Sequence, residues 1–221
     1  MDYIYTINEE AHRTGNPVMR PIFWEFSEPE MFSEQDQWLL GDSIMAVSMS
    51  KPGMKFASVR IPRNSNWYRF PLEICNFDDL SGFSVFEAGN AMKVYADSNS
   101  VKSELEEGIP MLLRGGKILV TKERPRRNSV LMQNDPFTVF IALDKNGQAE
   151  GRVYEDDGRT FGKYGTNTVL TYENNLLSAV ADNDKYGSGI ERIVLLRPNG
   201  NHSVLKKPKV QTGQSWSITV Q

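Results

Sequence analysis

Apolar and polar positions follow two different periods along this chain. Near the start, Tyr3, Ile7 and Ala11, with Ile4 alongside, recur at three- and four-residue spacing, the repeat of an amphipathic helix. That spacing predicts a helix over Asp2 to Arg13, stopped at Thr14-Gly15, because glycine adopts the left-handed conformation that ends helices. The stretch GNPVMRPIFWEF (15–26) then carries Val18, Met19, Ile22, Phe23, Trp24 and Phe26. It predicts a strand buried on both faces, as in a parallel sheet. Proline gives no ladder donor, so Pro17 is expected to open this strand and Pro21 to mark where the chain leaves its sheet. Helix, glycine turn and doubly buried strand make one unit of an α/β fold, and one helix cannot cover such a strand. Residues 1–26 are therefore expected to be the tail of a larger α/β domain lying upstream. The alternative is that they dock on the first β-module that follows.

From Leu39 onward the period shortens. Strands are predicted near Leu39–Gly41, Ser43–Met49, Phe56–Ile61, Trp67–Phe70, Met111–Leu113 and Lys117–Thr121. A second series is predicted near Thr138–Leu143, Glu150–Tyr154, Val169–Glu173, Leu176–Val180, Ile190–Leu196 and Trp216–Val220. Turn residues separate them at KPG (51–53), RNSN (63–66), RGG (114–116), KNG (145–147), DDG (156–158) and RPNG (197–200). Short strands at such spacing predict β-sandwich modules. Ser98 to Glu107 reads as a short helix bounded by Gly108 and Pro110. Residues 123–134 are charged and poor in apolar side chains, and are expected to link a proximal β-domain (36–122) to a distal one (135–221).

Composition narrows the function classes. Charged residues are 24% and the formal net charge is −3, with basic residues scattered, so no footprint for nucleic acid is expected. The run KERPRR (122–127) reads as a solvated connector. No apolar run reaches the roughly 18 residues that span a bilayer. The N-terminus does not read as a signal peptide, and SITVQ is no retention motif. Cys75 is alone and reads as an inert thiol.

Catalytic patterns are sparse. His12 at a helix end and His202 in a turn have no ligand-spaced neighbours, so no metal site and no cofactor is expected. No serine elbow or phosphate loop is present. The carboxylates of YEDDG (154–158) and NFDDL (76–80) are tempting as an acid/base pair, but neighbours at a polar turn rarely flank one substrate atom. Asp157-Gly158 between apolar runs is expected to be a hairpin turn. Trp38, Trp67, Tyr68 and Trp216 are aromatic candidates for a sugar platform, each within an apolar strand pattern that also predicts core packing. Asn201-His202-Ser203 is a candidate glycosylation sequon at Asn201.

Seven segments, in one order, carry a family resemblance. They are AHRTGNPVMRP (11–21), DQWLLGD (36–42), IPRNSNWYRF (61–70), GIPMLLRGGKI (108–118), KERPRRNS (122–129), NDPFT (134–138) and YEDDGRTF (154–161). Together they resemble the C-terminal third of glycoside hydrolase family 31, and within it the glucosidase II α-subunit branch. Arg69 stands where that family usually has an acidic residue. The resemblance implies a mainly β chain: the last helix and strand of a truncated (β/α)8 barrel over residues 1–35, followed by two β-sandwich-type domains.

It also implies a parent α-glucosidase of the endoplasmic-reticulum lumen that trims glucose from N-glycans with retention of configuration. A lectin-like β subunit would be its partner. The family's two catalytic aspartates lie in upstream segments, one within a W-x-D-M-N-E-like stretch that this chain lacks. No catalytic residue is therefore assigned here, neither Arg20 nor His12 inherits a substrate contact, and the chain alone is expected to be inactive. Arg20 is expected to be an internal anchor, paired with Asp36 or Asp42. The competing readings are a non-catalytic carbohydrate-binding β-sandwich protein and a structural or interaction remnant.

Overall fold

The computed structural model describes residues 2–48, 56–70, 80, 82–95, 111–124, 126–160 and 165–221. The chain divides into two compact units. One comprises Pro17–Gly115 with Pro198–Gly200, and the other Met1–Asn16, Gly116–Arg197 and Asn201–Gln221.

The first unit holds β1 (Met19–Pro21), β2 (Gln37–Leu40), β3 (Ile44–Val47), β4 (Phe56–Arg60), β5 (Trp67–Phe70), β6 (Val85–Phe86), β7 (Ala91–Tyr95) and β8 (Met111–Arg114). Six of these form a sheet in the order β1-β2-β3-β8-β5-β6, and β4 pairs with β7 as a separate ribbon. Strand β4 alternates exposed and buried along Phe56 to Arg60, the two-residue period that turns one face to the core. Its Ala57 and Val59 join Leu39, Met45, Trp67 and Leu112 in a single buried cluster.

The stretch 15–26 is corrected by this arrangement. β1 has three residues and runs antiparallel to β2 at the sheet edge, with Met19 opposite Leu40 and Pro21 opposite Trp38. Beyond Pro21 the chain turns into a short 3-10 segment, Ile22–Trp24. Burial alternates with exposure, since Arg20 and Ile22 are inside while Met19, Phe23 and Trp24 lie outside. The missing N–H of Pro21 ends the ladder there, as the sequence predicts, but the strand is not doubly buried and not parallel.

The second unit is an eight-stranded sheet with two helices, α1 (Asp2–Thr14) and α2 (Ser129–Met132). Its strands are β9 (Lys117–Thr121), β10 (Phe137–Ala142), β11 (Ala149–Glu155), β12 (Thr166–Glu173), β13 (Leu176–Ala181), β14 (Ile190–Leu196), β15 (Ser203–Lys206) and β16 (Trp216–Thr219). The order is β15-β14-β10-β9-β11-β12-β13-β16. β9 and β11 meet at one register pair, Lys117 with Glu150. Around that junction the two halves of the sheet share one core, with Val139, Ile141 and Ile193 from one side and Val153, Leu170 and Leu177 from the other.

Helix α1 ends as predicted: Gly15 takes φ +79° and its N–H donates to the Ala11 carbonyl at 2.9 Å. The helix belongs to the unit of the eight-stranded sheet, whereas β1 belongs to the other unit, so the two do not form one α/β repeat. The boundary between units falls at Gly115/Gly116, which assigns Lys117–Thr121 to the second unit instead of the first. Residues 123–134 are not a bare linker. They carry α2 and are tied to the second unit's sheet by ion pairs of Glu123 with Arg192 and Arg124 with Glu191. The Arg126–Asp135 pair closes across the helix. Charged side chains marked this segment as a connector, and those same charges fasten it down.

Strands β6, β7 and β15 were not predicted; β6 has only two residues and β15 is partly exposed along its length. The helix expected at 98–107, Cys75 and the NFDD carboxylates lie outside the described residues. Residues 154–158 do lie in a hairpin, β11 with β12, but its connection runs from 156 to 165.

Candidate functional site

In the second unit, a cavity of about 620 Å³ opens beside α1, α2 and the end of β11. α1 stands on the sheet through named contacts. Arg152 on β11 reaches Glu9 at 2.6 Å and donates to the Thr6 carbonyl at 3.1 Å. The Thr6 hydroxyl accepts from the Tyr154 N–H at 3.1 Å, and Lys122 lies 3.5 Å from Asp2. These contacts leave Ile4 and Tyr5 on the cavity side, 40% and 45% exposed.

The polar centre of the cavity is a tyrosine–aspartate cluster. Tyr5 and Tyr154 have ring centroids 5.9 Å apart, tilted by 31°. The Tyr5 hydroxyl donates to both carboxylate oxygens of Asp156 at 2.8 Å. Burial, then the Asp156 hydrogen bond, pushes Tyr5 up to about 12. Burial, then the Asp156 charge, does the same to Tyr154. Both phenols therefore stay protonated through the neutral range, and Tyr5 donates to Asp156.

Asp156 and Asp157 are set by their own turn. The Gly158 N–H donates to Asp156 Oδ1 at 2.8 Å, and the Arg159 and Thr160 N–H groups donate to Asp157 Oδ1 at 2.9 and 2.8 Å. The Thr160 hydroxyl, followed by these backbone donors, draws Asp157 down to about 2. A general acid needs a raised pKa, so Asp157 is suited to holding a turn. Gly158 at φ +65° completes that turn.

The first unit presents a different feature. Phe23 and Phe32 stack at 5.6 Å and 14° and stand 40% and 61% exposed; Met19 and Trp24 in the same segment are exposed too. Their neighbours Ile22, Phe26 and Met31 are buried and anchor the platform. Beneath it, Arg20 is 3% exposed and pairs with Glu25 at 2.8 Å, while Arg114 approaches Glu25 at 3.6 Å and covers the Phe26 ring at 4.6 Å. Glu25 is thus an acidic partner in this anchor, one the sequence reading, which named Asp36 and Asp42, did not include.

The other sequence candidates scatter. Trp67 and Tyr68 are fully buried. Trp38 and Trp216 are half-buried, and Trp216 Nε1 donates to the Gln211 carbonyl at 2.6 Å. His12 is exposed on α1, whereas His202 Nδ1 accepts from the Arg197 N–H at 3.1 Å. Asn201 is exposed, with its carbonyl accepting from Arg197 at 2.6 Å.

By architecture, the chain is a mainly β protein whose fold matches solved glucosidase II α subunits. It covers 100% of this chain and 27% of the catalytic chain in the crystal structure of an endoplasmic-reticulum glucosidase II heterodimeric complex of catalytic subunit and regulatory-subunit binding domain. There the TM-score is 0.82 and the identity 22%. Residues 15–119 match the model of the glycosyl hydrolase family 31 C-terminal domain. Over these residues the chain carries the C-terminal domain of that family.

Among curated relatives, it is 30% identical to a probable glucan 1,3-alpha-glucosidase of Oryza sativa, over 100% of this chain and 26% of that protein. It is 27% identical to the neutral alpha-glucosidase AB of Homo sapiens, over 99% of this chain and 25% of that protein. The chain thus spans about a quarter of the length of these relatives.

Proposed function

We propose that this chain supplies the C-terminal domains of a retaining α-glucosidase of the glucosidase II type. It braces the catalytic barrel and is inactive alone. The carrying observation is similarity along its whole length to α-glucosidases, together with the family match over residues 15–119. The parent removes terminal α-linked glucose from N-glycans, using two carboxyl groups roughly 5–5.5 Å apart on either side of the glycosidic bond. Those groups belong to barrel segments outside these residues. The pair that tempts here, Asp156 and Asp157, is committed to turn and tyrosine hydrogen bonds.

In this reading, α1 derives from the end of the catalytic barrel, whereas β1 already belongs to the proximal β-domain. The exposed stacked pair of Phe23 and Phe32 supports the bracing role, because exposed apolar surface marks a contact region. The barrel is its natural cover. The parent works in the endoplasmic-reticulum lumen with a lectin-like β subunit; a solved endoplasmic-reticulum glucosidase II complex of catalytic and regulatory subunits supports a partner of this kind. In that compartment exposed Asn201 carries an N-glycan, detected as a mobility shift that peptide N-glycosidase removes and Asn201→Gln prevents. Incubated with p-nitrophenyl α-glucoside, the purified chain should release no more nitrophenol than buffer. Turnover that tracks the purified chain would overturn the bracing role.

A further inference from the structure

In the second unit, β15 runs into a basic segment, Lys206-Lys207-Pro208-Lys209, that returns along the start of β14. Its backbone is strained. Among the described non-glycine residues, four have φ in the left-handed region. Asn174 and Asn175, at +53° and +63°, form the two-residue turn between β12 and β13, where a tight hairpin calls for positive φ and asparagine tolerates it. The other two are Lys207 and Lys209, at +50° and +55°. A lysine Cβ crowds the following carbonyl in that conformation, and its long side chain offers no local hydrogen bond to offset the crowding.

The surroundings hold these residues in place. The Lys207 N–H donates to the Glu191 carbonyl at 2.7 Å, the Val210 carbonyl accepts from the Ile190 N–H at 2.9 Å, and Gln211 bridges to Gly189. The Gln211 carbonyl also accepts from Trp216 Nε1 at 2.6 Å. Pro208, with its fixed φ, stiffens the link between the two lysines. Backbone strain persists where neighbours over-determine it, and it gathers at ligand clamps.

Here the strained pair borders a cavity. Lys207, Lys209, Gln211 and Gln214 line a space of about 420 Å³ together with Glu191, a volume in the range of small-molecule sites. Glu191 is the one carboxylate among the described lining residues, and Arg124 takes it in a two-pronged pair at 3.0 and 2.6 Å. The lining thus brings two ammonium groups beside a carboxylate already paired elsewhere, with two side-chain amides able to donate. Like charge repels a cation from such a lining, and a neutral ligand leaves its charge unused. A dianionic tetrahedral group matches both ammonium charges, and lysine binds phosphate in this way, as a point charge.

We propose that Lys207 and Lys209 form a binding site for a dianionic phosphate group, with Gln211 and Gln214 as further donors. No bond is made or broken there. The site belongs to the second unit alone and does not depend on the bracing role.

Isothermal titration of the purified chain with inorganic phosphate and with glycerol 3-phosphate tests it. Saturable one-site binding is expected, weakened roughly tenfold by Lys207→Asn and by Lys209→Asn, the loss of one charge-assisted hydrogen bond each. Asparagine accepts the left-handed backbone, so these variants remove the charge and keep the loop, and circular dichroism checks that they fold. Lys207→Arg, which keeps the charge, should retain binding. Tighter binding of glycerol 3-phosphate would assign the site to an ester and equal binding to the free ion; both outcomes support it. Absence of saturable binding to either probe would overturn the site, as would binding unchanged in the folded double asparagine variant. A triglutamate peptide that binds more tightly than both phosphates would do so too, by reassigning the cavity to carboxylates. Loss of the site would leave the nitrophenol result untouched, so the two readings fail separately.

Discussion

Among single residues, Arg20 and Glu25 carry the sharpest consequence. A guanidinium only 3% exposed pairs with the Glu25 carboxylate and donates to the Pro17 carbonyl at 2.9 Å, so breaking this pair disturbs a buried charge. Breaking such a pair costs about 3–5 kcal/mol when fully buried. Glu25 keeps 22% of its side chain exposed, so Arg20→Ala is expected to cost about 2–3 kcal/mol. Calorimetric melting reads this directly, and an unchanged transition would remove Arg20 from its anchoring role.

Tyr5 and Tyr154 give a pH signature. Their folded pKa values, about 12, lie above the roughly 10 of a free tyrosine. The folded state therefore holds these two protons more tightly than the unfolded state between those values. Their contribution is complete below about pH 10 and is lost as the pH rises toward 12. Tyrosinate absorbance should show these two phenols titrating late, and Asp156→Asn should bring them back toward the ordinary value. That cluster was illegible in the sequence. Tyr5 and Asp156 are 151 residues apart, and no local period links a helix face to a distant turn.

Whole elements were more readable. The twelve predicted strands all coincide with observed ones, because each carries enough apolar side chains to declare its period. The failures are instructive. β6 has two residues and β15 is largely exposed, so neither has a pattern to read. The apolar richness of residues 18–26 suggested double burial, but periodicity reports side-chain character and not what covers it. Half of those side chains form the exposed platform instead. The junction of β9 and β11 depends on one glycine. A Cβ at Gly151 would meet the Ile118 carbonyl oxygen at 2.2 Å and Ile118 Cβ at 2.9 Å. Gly151→Ala should push the two halves of the sheet apart at that point, at a cost of about 1–3 kcal/mol. Urea denaturation would register this as a lower midpoint, and a wild-type midpoint would show that the junction yields freely.

For the whole molecule, the proposed bracing role draws on two compact β-units, an exposed aromatic pair and a carboxylate pair engaged in turn and tyrosine hydrogen bonds. The family resemblance was legible because its motifs sit at turns and strand starts, where backbone geometry restricts the residues allowed. The unit boundary was not, since Gly115 and Gly116 sit inside a tight turn between two good strands and composition does not change there. The most direct measurement replaces the homologous quarter of the human neutral alpha-glucosidase AB with this chain and follows hydrolysis of p-nitrophenyl α-glucoside. Bracing predicts that the folded hybrid releases nitrophenol, and that Phe23→Ser with Phe32→Ser reduces this by destabilising the hybrid without unfolding the isolated chain. A hybrid that folds yet stays inactive, beside an isolated chain that turns over the substrate, would contradict it.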